Sequence, residues 1–479
     1  MKNIIGKEKL DSSNGKVIEI INPATNKLID TIPDSTKEDV EKVCKVAHEA
    51  QKEWAKVAMH KRGEILKKFA LLVEEEKESL SKLLSDETGK PICEAEAEIG
   101  NTKLFVNGYV ERAKHMYGMN IPVGSEPGQE STIQFTIQEP LGVVACIIPF
   151  NFPCDLFGQK VPSALIMGNS VIVKPSTYNP LTLTKYVELL LKAGVPAGVV
   201  NVIHGEGKIV GQALAGNKLV HCVSLTGSTA AGMETMKTCS YNLTHVMLEL
   251  GGNDAFILLK DGDLDLAVEE TVWGRLYNTG QVCCASKRFL IHNSLKEKYI
   301  KKMVEKIKTL KVGMPSDRDT KIGCLINEAA AKRVEEQVNE TVKAGAKIII
   351  GGKRNGAFYE PTILDNVSKD MDVAKDMEIF GPVISIIGFD SVEEAIEIAN
   401  QSSFGLCGNV ITEDMKSAFK VASALEVGGA VINGASFYRS AEMPFGGWKH
   451  SGIGNEGISS TLKELSRTKT IVLKNILKE

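Results

Sequence analysis

The chain has 479 residues, 43% of them hydrophobic and 24% charged, the balance of a packed protein of two or three domains rather than a disordered one. A formal charge of −3 supplies no field to draw nucleic acid or an anionic membrane. Apolar runs such as GVVACIIPF (142–150) are far too short to span a bilayer, so no membrane partner is expected.

The first residues, MKNIIGKEKLDSSNGKVIEI, carry no apolar secretory core, which points to the cytoplasm. Residues 36–115 repeat apolar positions at three- and four-residue steps and read as successive amphipathic helices. STIQFTIQEP (131–140) alternates like an exposed strand. From 141 to 260, short apolar runs (GVVACIIPF, SVIVKP, VVNVIHG, HCVSLTG, HVMLEL) alternate with helical segments, the rhythm of a parallel, doubly wound sheet. A second α/β series runs from about 251 to 447, with helices expected at 263–279, 294–310 and 326–344. TKTIVLKN near the C-terminus is a stray strand, which either pairs with 131–139 or carries a sheet into a neighbouring subunit. The ten cysteines are scattered, without CxxC pairs or histidine clusters at ligand spacing, so no metal is expected and most should be reduced core residues. Cys283 and Cys284 differ, because they follow a Gly-Gln-Val turn between two periodic segments.

Five further stretches carry chemistry. SLTGSTAAG (224–232) breaks a strand at Gly227 and opens a helix at Ser228, and Gly205, Gly207 and Gly211 are spaced one residue longer than the dinucleotide fingerprint. Each is either a phosphate cradle or only a tight turn. Lys174 ends a strand where ligands of open α/β sheets sit, and would reach ribose or phosphate or else be a solvated loop lysine. Asn151, also at a strand's end, would donate to a developing oxyanion or cap the next helix. Glu249 lies inside an apolar strand ahead of two glycines, a costly place for a carboxylate without bonds or work.

Together PFNFP, GNSVIVKPS, GVPAGVVNVI, TGSTAAG, LELGG, GQVC, EIFGPV and MPFGGWKHSGIGNEG occur in the order and spacing found in NAD(P)-dependent aldehyde dehydrogenases. The chain resembles that family from NPAT near residue 23 to the terminal strand. The resemblance implies a Rossmann-like, doubly wound α/β cofactor domain (1–122 and 141–250), an α/β catalytic domain (251–450) and a small β oligomerisation flap (123–140 and 451–479). It implies Cys283 as nucleophile, Glu249 as the base that activates water, and Asn151 with the Cys283 backbone N–H as oxyanion hole. Around NAD or NADP it implies Lys174 at the adenosine ribose and Ser228 at the pyrophosphate. Ser176, Thr177, Gly207, Gly211, Thr226 and Gly227 would lie nearby, with Glu378 and Phe380 at the nicotinamide end.

Many NAD-selective relatives carry an acidic residue after KPS, whereas this chain has Thr177, so acceptance of NADP is expected. Tyr277 stands where succinate-semialdehyde members have an arginine, and Arg275 or Arg439 could replace that charge. The Tyr-Arg of GASFYRSAEMPFGG is similar to members acting on small hydroxylated or anionic aldehydes, although Arg439 could instead pair with Glu442 on the surface. The candidate substrates are succinate semialdehyde, lactaldehyde and glyceraldehyde-type aldehydes, in a homodimer or homotetramer. Relatives that pass the acyl group to coenzyme A lack the glutamate of LELGG, so Glu249 favours hydrolysis over that alternative. A non-catalytic member is disfavoured because Cys283, Glu249 and Asn151 are all present. Cys284 is either a packing residue or a resolving thiol for an oxidised Cys283.

Overall fold

The computed structural model describes residues 1–477. Its first sheet centres on five parallel strands in the spatial order Val200–Val202, Ser170–Lys174, Val143–Ile147, Cys222–Thr226, His245–Glu249. The chain starts at the middle strand, winds outward one way, then returns and winds the other. That reversal places the topological switch point between Val143–Ile147 and Cys222–Thr226. Both strands are buried almost throughout, which is why VVACI and CVSLT do not alternate polar with apolar.

The second sheet contains Asp254–Leu258, Ser286–His292, Val383–Phe389, Thr362–Val367, Cys407–Ile411 and Gly429–Ile432, all parallel, with Lys347–Ile350 antiparallel at one edge. The expected stray strands do pair with each other. Ser466–Leu473 lies antiparallel to Ile133–Pro140 over eight residue pairs, from Ser466 opposite Pro140 to Leu473 opposite Ile133. The outer strand keeps most of its side chains in solvent.

Several details depart from the sequence reading. Asn3–Ile5 and Glu8–Leu10 extend the first sheet, and Val17–Ile21 and Leu28–Pro33 form a hairpin, none of which was expected. The segment 451–479, expected to belong wholly to the flap, opens with Gly452–Ile453, which pairs with His245–Glu249 at the far edge of the first sheet. The helix expected over 263–279 is α-helical only for Leu264–Thr271. It widens into a π turn at Val272–Leu276 and then gives way to Tyr277–Gly280, where Asn278 and Thr279 have φ of 50° and 54°. Two consecutive non-glycine residues in the left-handed region need outside support, and that support proves to be part of the site. Among the described residues no helix is long and apolar enough to cross a membrane.

Candidate active site

A cleft of about 910 Å³ opens at the switch point of the first sheet and faces the second. Asn151, Thr226, Gly227, Ser228, Cys283, Glu378 and Phe380, drawn from both sheets, all line it. Ser228 caps the helix Thr229–Ser240, its hydroxyl accepting from Ala231 N at 3.3 Å, so the positive end of that helix faces the cleft. Lys174 ends its strand buried, with Nζ donating to Pro175 O at 3.1 Å. Burial lowers its ammonium to about 8, against the pull of Glu206. Ser176 and Thr177 follow it, half-buried. Gly207 and Gly211 fall outside the residues lining the cleft and have no backbone need for glycine. Gly205 does have one, because its φ is 128° and a Cβ there would stand 2.9 Å from Ser35 N.

Tyr277, Phe152, Phe437 and Trp273 form an aromatic wall. Tyr277 stacks on Phe152 with centroids 6.1 Å apart and planes 11° apart, and Phe437 lies 5.2 Å from Tyr277 and 5.0 Å from Trp273. Arg275 does not join this wall, contrary to its candidacy for the substrate. It is fully buried and turned the other way, Nε donating to Val383 O at 2.6 Å and Nη2 to Ile379 O at 2.9 Å. A guanidinium is committed there because the backbone around Glu378 and Phe380 leaves carbonyls to satisfy. Arg439 pairs with Glu456 (Nη2 to Oε2, 2.9 Å) and not with Glu442, and lies 4.1 Å over the Phe445 ring. Its Nε has no partner. Phe445 packs in the same cluster as Val282, Cys284, Phe152, Phe437 and Cys283, so Arg439 flanks the chamber of the two thiols.

The turn before the thiols is held from several sides. Asn278 N donates to Glu94 Oε2 at 2.8 Å, Asn278 Nδ2 to Asn151 O at 2.9 Å, and Asn151 Nδ2 to Gln281 O at 3.1 Å. Gln281 Oε1 accepts from Ile326 N at 2.9 Å, and Thr279 Oγ1 accepts from Gly323 N at 3.1 Å. Gly280, with φ of 76°, lies against Gly381, whose carbonyl oxygen would stand 2.3 Å from a Cβ. Because an amide carries two N–H bonds, Asn151 can hold Gln281 O and still present a donor to the cleft.

The neighbouring Cys284 S–H lowers Cys283, burial opposes this, and the charges of Lys287 and Arg439 help. Cys284 is raised well above its ordinary value by Cys283 beside it, with burial adding to the effect. Lys287 was not singled out in the sequence. Its buried Nζ donates to Cys283 O at 2.5 Å and pairs with Glu378 at 3.2 Å.

Glu249 is 4% exposed and its Oε2 has no partner. Burial first, then the charge of Glu456, raises its carboxyl well above the usual range, while Arg439 and Lys160 pull the other way. Glu456 itself accepts from Lys160 Nζ at 2.7 Å and from Arg439, and these two cations hold it below the usual range despite its burial. One carboxylate of this buried set is thus charged and the other is poised to carry a proton.

The helix N-terminus and a carboxylate brought close to Gly251 fit a dinucleotide, while Lys174, Ser176, Thr177 and Glu249 lie outside the residues that line the cleft. A Cβ on Gly251 would meet Glu378 Oε2 at 2.6 Å, so glycine there admits the carboxylate. A doubly wound sheet whose switch point meets a thiol from a second sheet fits an NAD(P)-dependent oxidoreductase. The comparisons with known proteins make this specific. The model of the aldehyde dehydrogenase family matches residues 10–471, and the chain belongs to that family. It is 40% identical to a 3-sulfolactaldehyde dehydrogenase of Priestia megaterium, over 95% of this chain and 94% of that one. It is 38% identical to a lactaldehyde dehydrogenase of Methanococcus aeolicus, over 96% and 98%. The crystal structure of betaine aldehyde dehydrogenase from Staphylococcus aureus in complex with NAD+ superposes with a TM-score of 0.95 at 34% identity, covering 100% of this chain and 95% of that one. The chain is an NAD(P)-dependent oxidoreductase acting on small aldehydes, with NAD or NADP as its cofactor.

Proposed function

We propose that this enzyme oxidises a small anionic or hydroxylated aldehyde to its carboxylic acid, with Cys283 as nucleophile, Asn151 as oxyanion donor and Glu249 as base. The observation that carries the substrate class is Arg439. This cation sits beside the chamber, is held by Glu456 and stacked on Phe445, and keeps its Nε unsatisfied. A sulfonate, carboxylate or 2-hydroxyl on the aldehyde would satisfy that donor, and the similarity to 3-sulfolactaldehyde and lactaldehyde dehydrogenases supports the same class.

Cys283, favoured as thiolate by the Cys284 S–H, attacks the aldehyde carbon, and the amide of Asn151 with the Cys283 N–H takes the oxyanion. A bound NAD or NADP supplies the hydride acceptor. The two rows of residues from Lys174 to Ser228 and from Glu378 to Phe380 would hold its ends. Collapse of the oxyanion leaves an acyl thioester on Cys283. Glu249 then takes a proton from water, and the charged set of Lys160, Arg439 and Glu456 behind it sets how readily it does so. The ten unpaired cysteines suit a reducing compartment, the cytoplasm. The exposed edge of Ser466–Leu473 suits pairing with a second copy, giving a homodimer or homotetramer.

A panel of short aldehydes, plain, hydroxylated, carboxylated and sulfonated, tests the substrate class. The expected result is the highest kcat/KM with a charged or hydroxylated member; in Arg439→Met, kcat should fall for every member because Arg439 also balances Glu456 beside Glu249, while KM should rise, by roughly 10- to 100-fold, only for the charged or hydroxylated one. Preference for long aliphatic or bulky aromatic aldehydes overturns the assignment.

A further inference from the structure

We propose that Lys90 is a positioning residue for the oxidation step: together with Glu94 and Glu98 it clamps the Asn151 segment to the turn that carries Cys283. The proposal rests on the reading of Asn151 as oxyanion donor, and concerns what aims that amide.

Lys90 is fully buried, an expensive place for an ammonium unless every donor is used. Its Nζ donates to Asn151 O at 2.8 Å, pairs with Glu98, and lies 4.0 Å from the centroid of the Phe152 ring. Glu98 is equally buried. Its Oε1 accepts from Cys154 N at 2.8 Å and Asp155 N at 3.4 Å, the first free N–H groups of the helix Pro153–Ile166. Phe152 at the N-cap of that helix has no side-chain acceptor, so a remote carboxylate does the capping. Glu94, one turn earlier on the long helix Ile92–Ala113, accepts from Asn278 N at 2.8 Å. Asn278 Nδ2 closes the circuit on Asn151 O at 2.9 Å.

These partners all lie on the two segments that meet at the reaction centre, Asn151–Asp155 and Asn278–Cys283. The Asn151 carbonyl accepts from both Lys90 and Asn278, so its peptide plane has little freedom, and the direction of its side chain follows. Burial raises the neighbouring carboxyls Glu94, to about 8, and Asp155, to about 7, and the ion pair of the clamp is the one between Lys90 and Glu98.

The test uses Lys90→Met, with Asn151→Ala as reference. Lys90→Met leaves Glu98 charged without its partner, so the double variant Lys90→Met/Glu98→Gln accompanies it, neutral but still able to accept from Cys154 N. The single-turnover rate of NAD(P)H formation is expected to fall roughly 10- to 100-fold in both, because a displaced oxyanion donor loses most of its effect. The aldehyde KM and the cofactor Kd should stay within about threefold. Alkylation of Cys283 by iodoacetamide, which develops no oxyanion, should proceed at the native rate. If Asn151→Ala keeps the native rate, the oxyanion reading fails and the clamp with it. If Asn151→Ala is slow but the double variant is as fast as native, the clamp alone is overturned. Alkylation falling in step with turnover, or failure of both Lys90 variants to fold, also overturns it, since Lys90 then serves only the fold.

Discussion

Glu249→Gln removes one potential charge and almost nothing of the shape of the site, so it separates the two halves of the reaction. The native carboxyl is buried, its Oε2 has no partner, and its proton is held well above the usual range by burial and by Glu456. Attack by Cys283 and loss of hydride need no base at that position, so the first turnover should proceed at close to the native rate. Hydrolysis of the thioester does need one, and a positioned general base contributes roughly 10²–10⁴ in rate. Rapid mixing with excess aldehyde should therefore show a burst of one NAD(P)H per active site, followed by a steady state slower by that factor. Hydroxylamine, a nucleophile that needs no base, should restore turnover. Stability gives an independent check. The folded carboxyl holds its proton to higher pH than the unfolded one, so it favours the fold on the acid side and loses that contribution as pH rises. Each pH unit between the two values is worth about 1.4 kcal/mol, so the Tm of Glu249→Gln should gain on native as pH is raised. Absence of a burst, with the first turnover slowed as much as the steady state, would refute the assignment of Glu249 to deacylation.

Cys283→Ala should abolish oxidation. Cys284→Ala should keep most of it but move the pH dependence of Cys283 alkylation upward, because the thiolate loses the S–H that donates to it. An unmoved alkylation profile would return Cys284 to a packing role. Thr177→Glu should raise the KM for NADP at least about tenfold, with little effect on NAD, by placing a carboxylate near the 2′-phosphate. Steady-state kinetics with both cofactors checks this. A native preference for NAD of about a hundredfold or more, 2.7 kcal/mol, would refute the reading of Thr177.

Sequence reasoning reached the cleft because the residues that face it sit at strand ends next to glycines and prolines, where local pattern and chemistry coincide. Asn151, Ser228 and Cys283 are of this kind. It did not reach Lys90, Glu94 and Glu98, because charged residues four apart at the start of a helix ordinarily mark a solvated face, and only the fold shows Glu94, Glu98 and the preceding Lys90 pressed against two loops. Arg275 misled for the mirror reason. Its place beside the catalytic turn suggested a substrate contact, whereas its guanidinium is spent on the carbonyls of residues 379 and 383. The strands at the N-terminus escaped notice because they are short and lie at edges, paired through only a few residues. The break of the expected helix after Thr271 has no local signal strong enough to predict it, since the two left-handed residues are stabilised by Glu94, Asn151 and Gly323, all distant in sequence.

Synthesis of the chain has a schedule set by Glu456. The nucleophile is made soon after the midpoint, but the carboxylate that pairs with Lys160 and Arg439, and so sets the surroundings of Glu249, lies close to the C-terminus. A nascent chain that has extruded Cys283 therefore still lacks the charge balance behind the base. The reactive centre is completed only when the final segment folds back across the edge of the first sheet. A truncated product, released early by a stalled ribosome, would carry a cysteine in the right turn without the means to turn over.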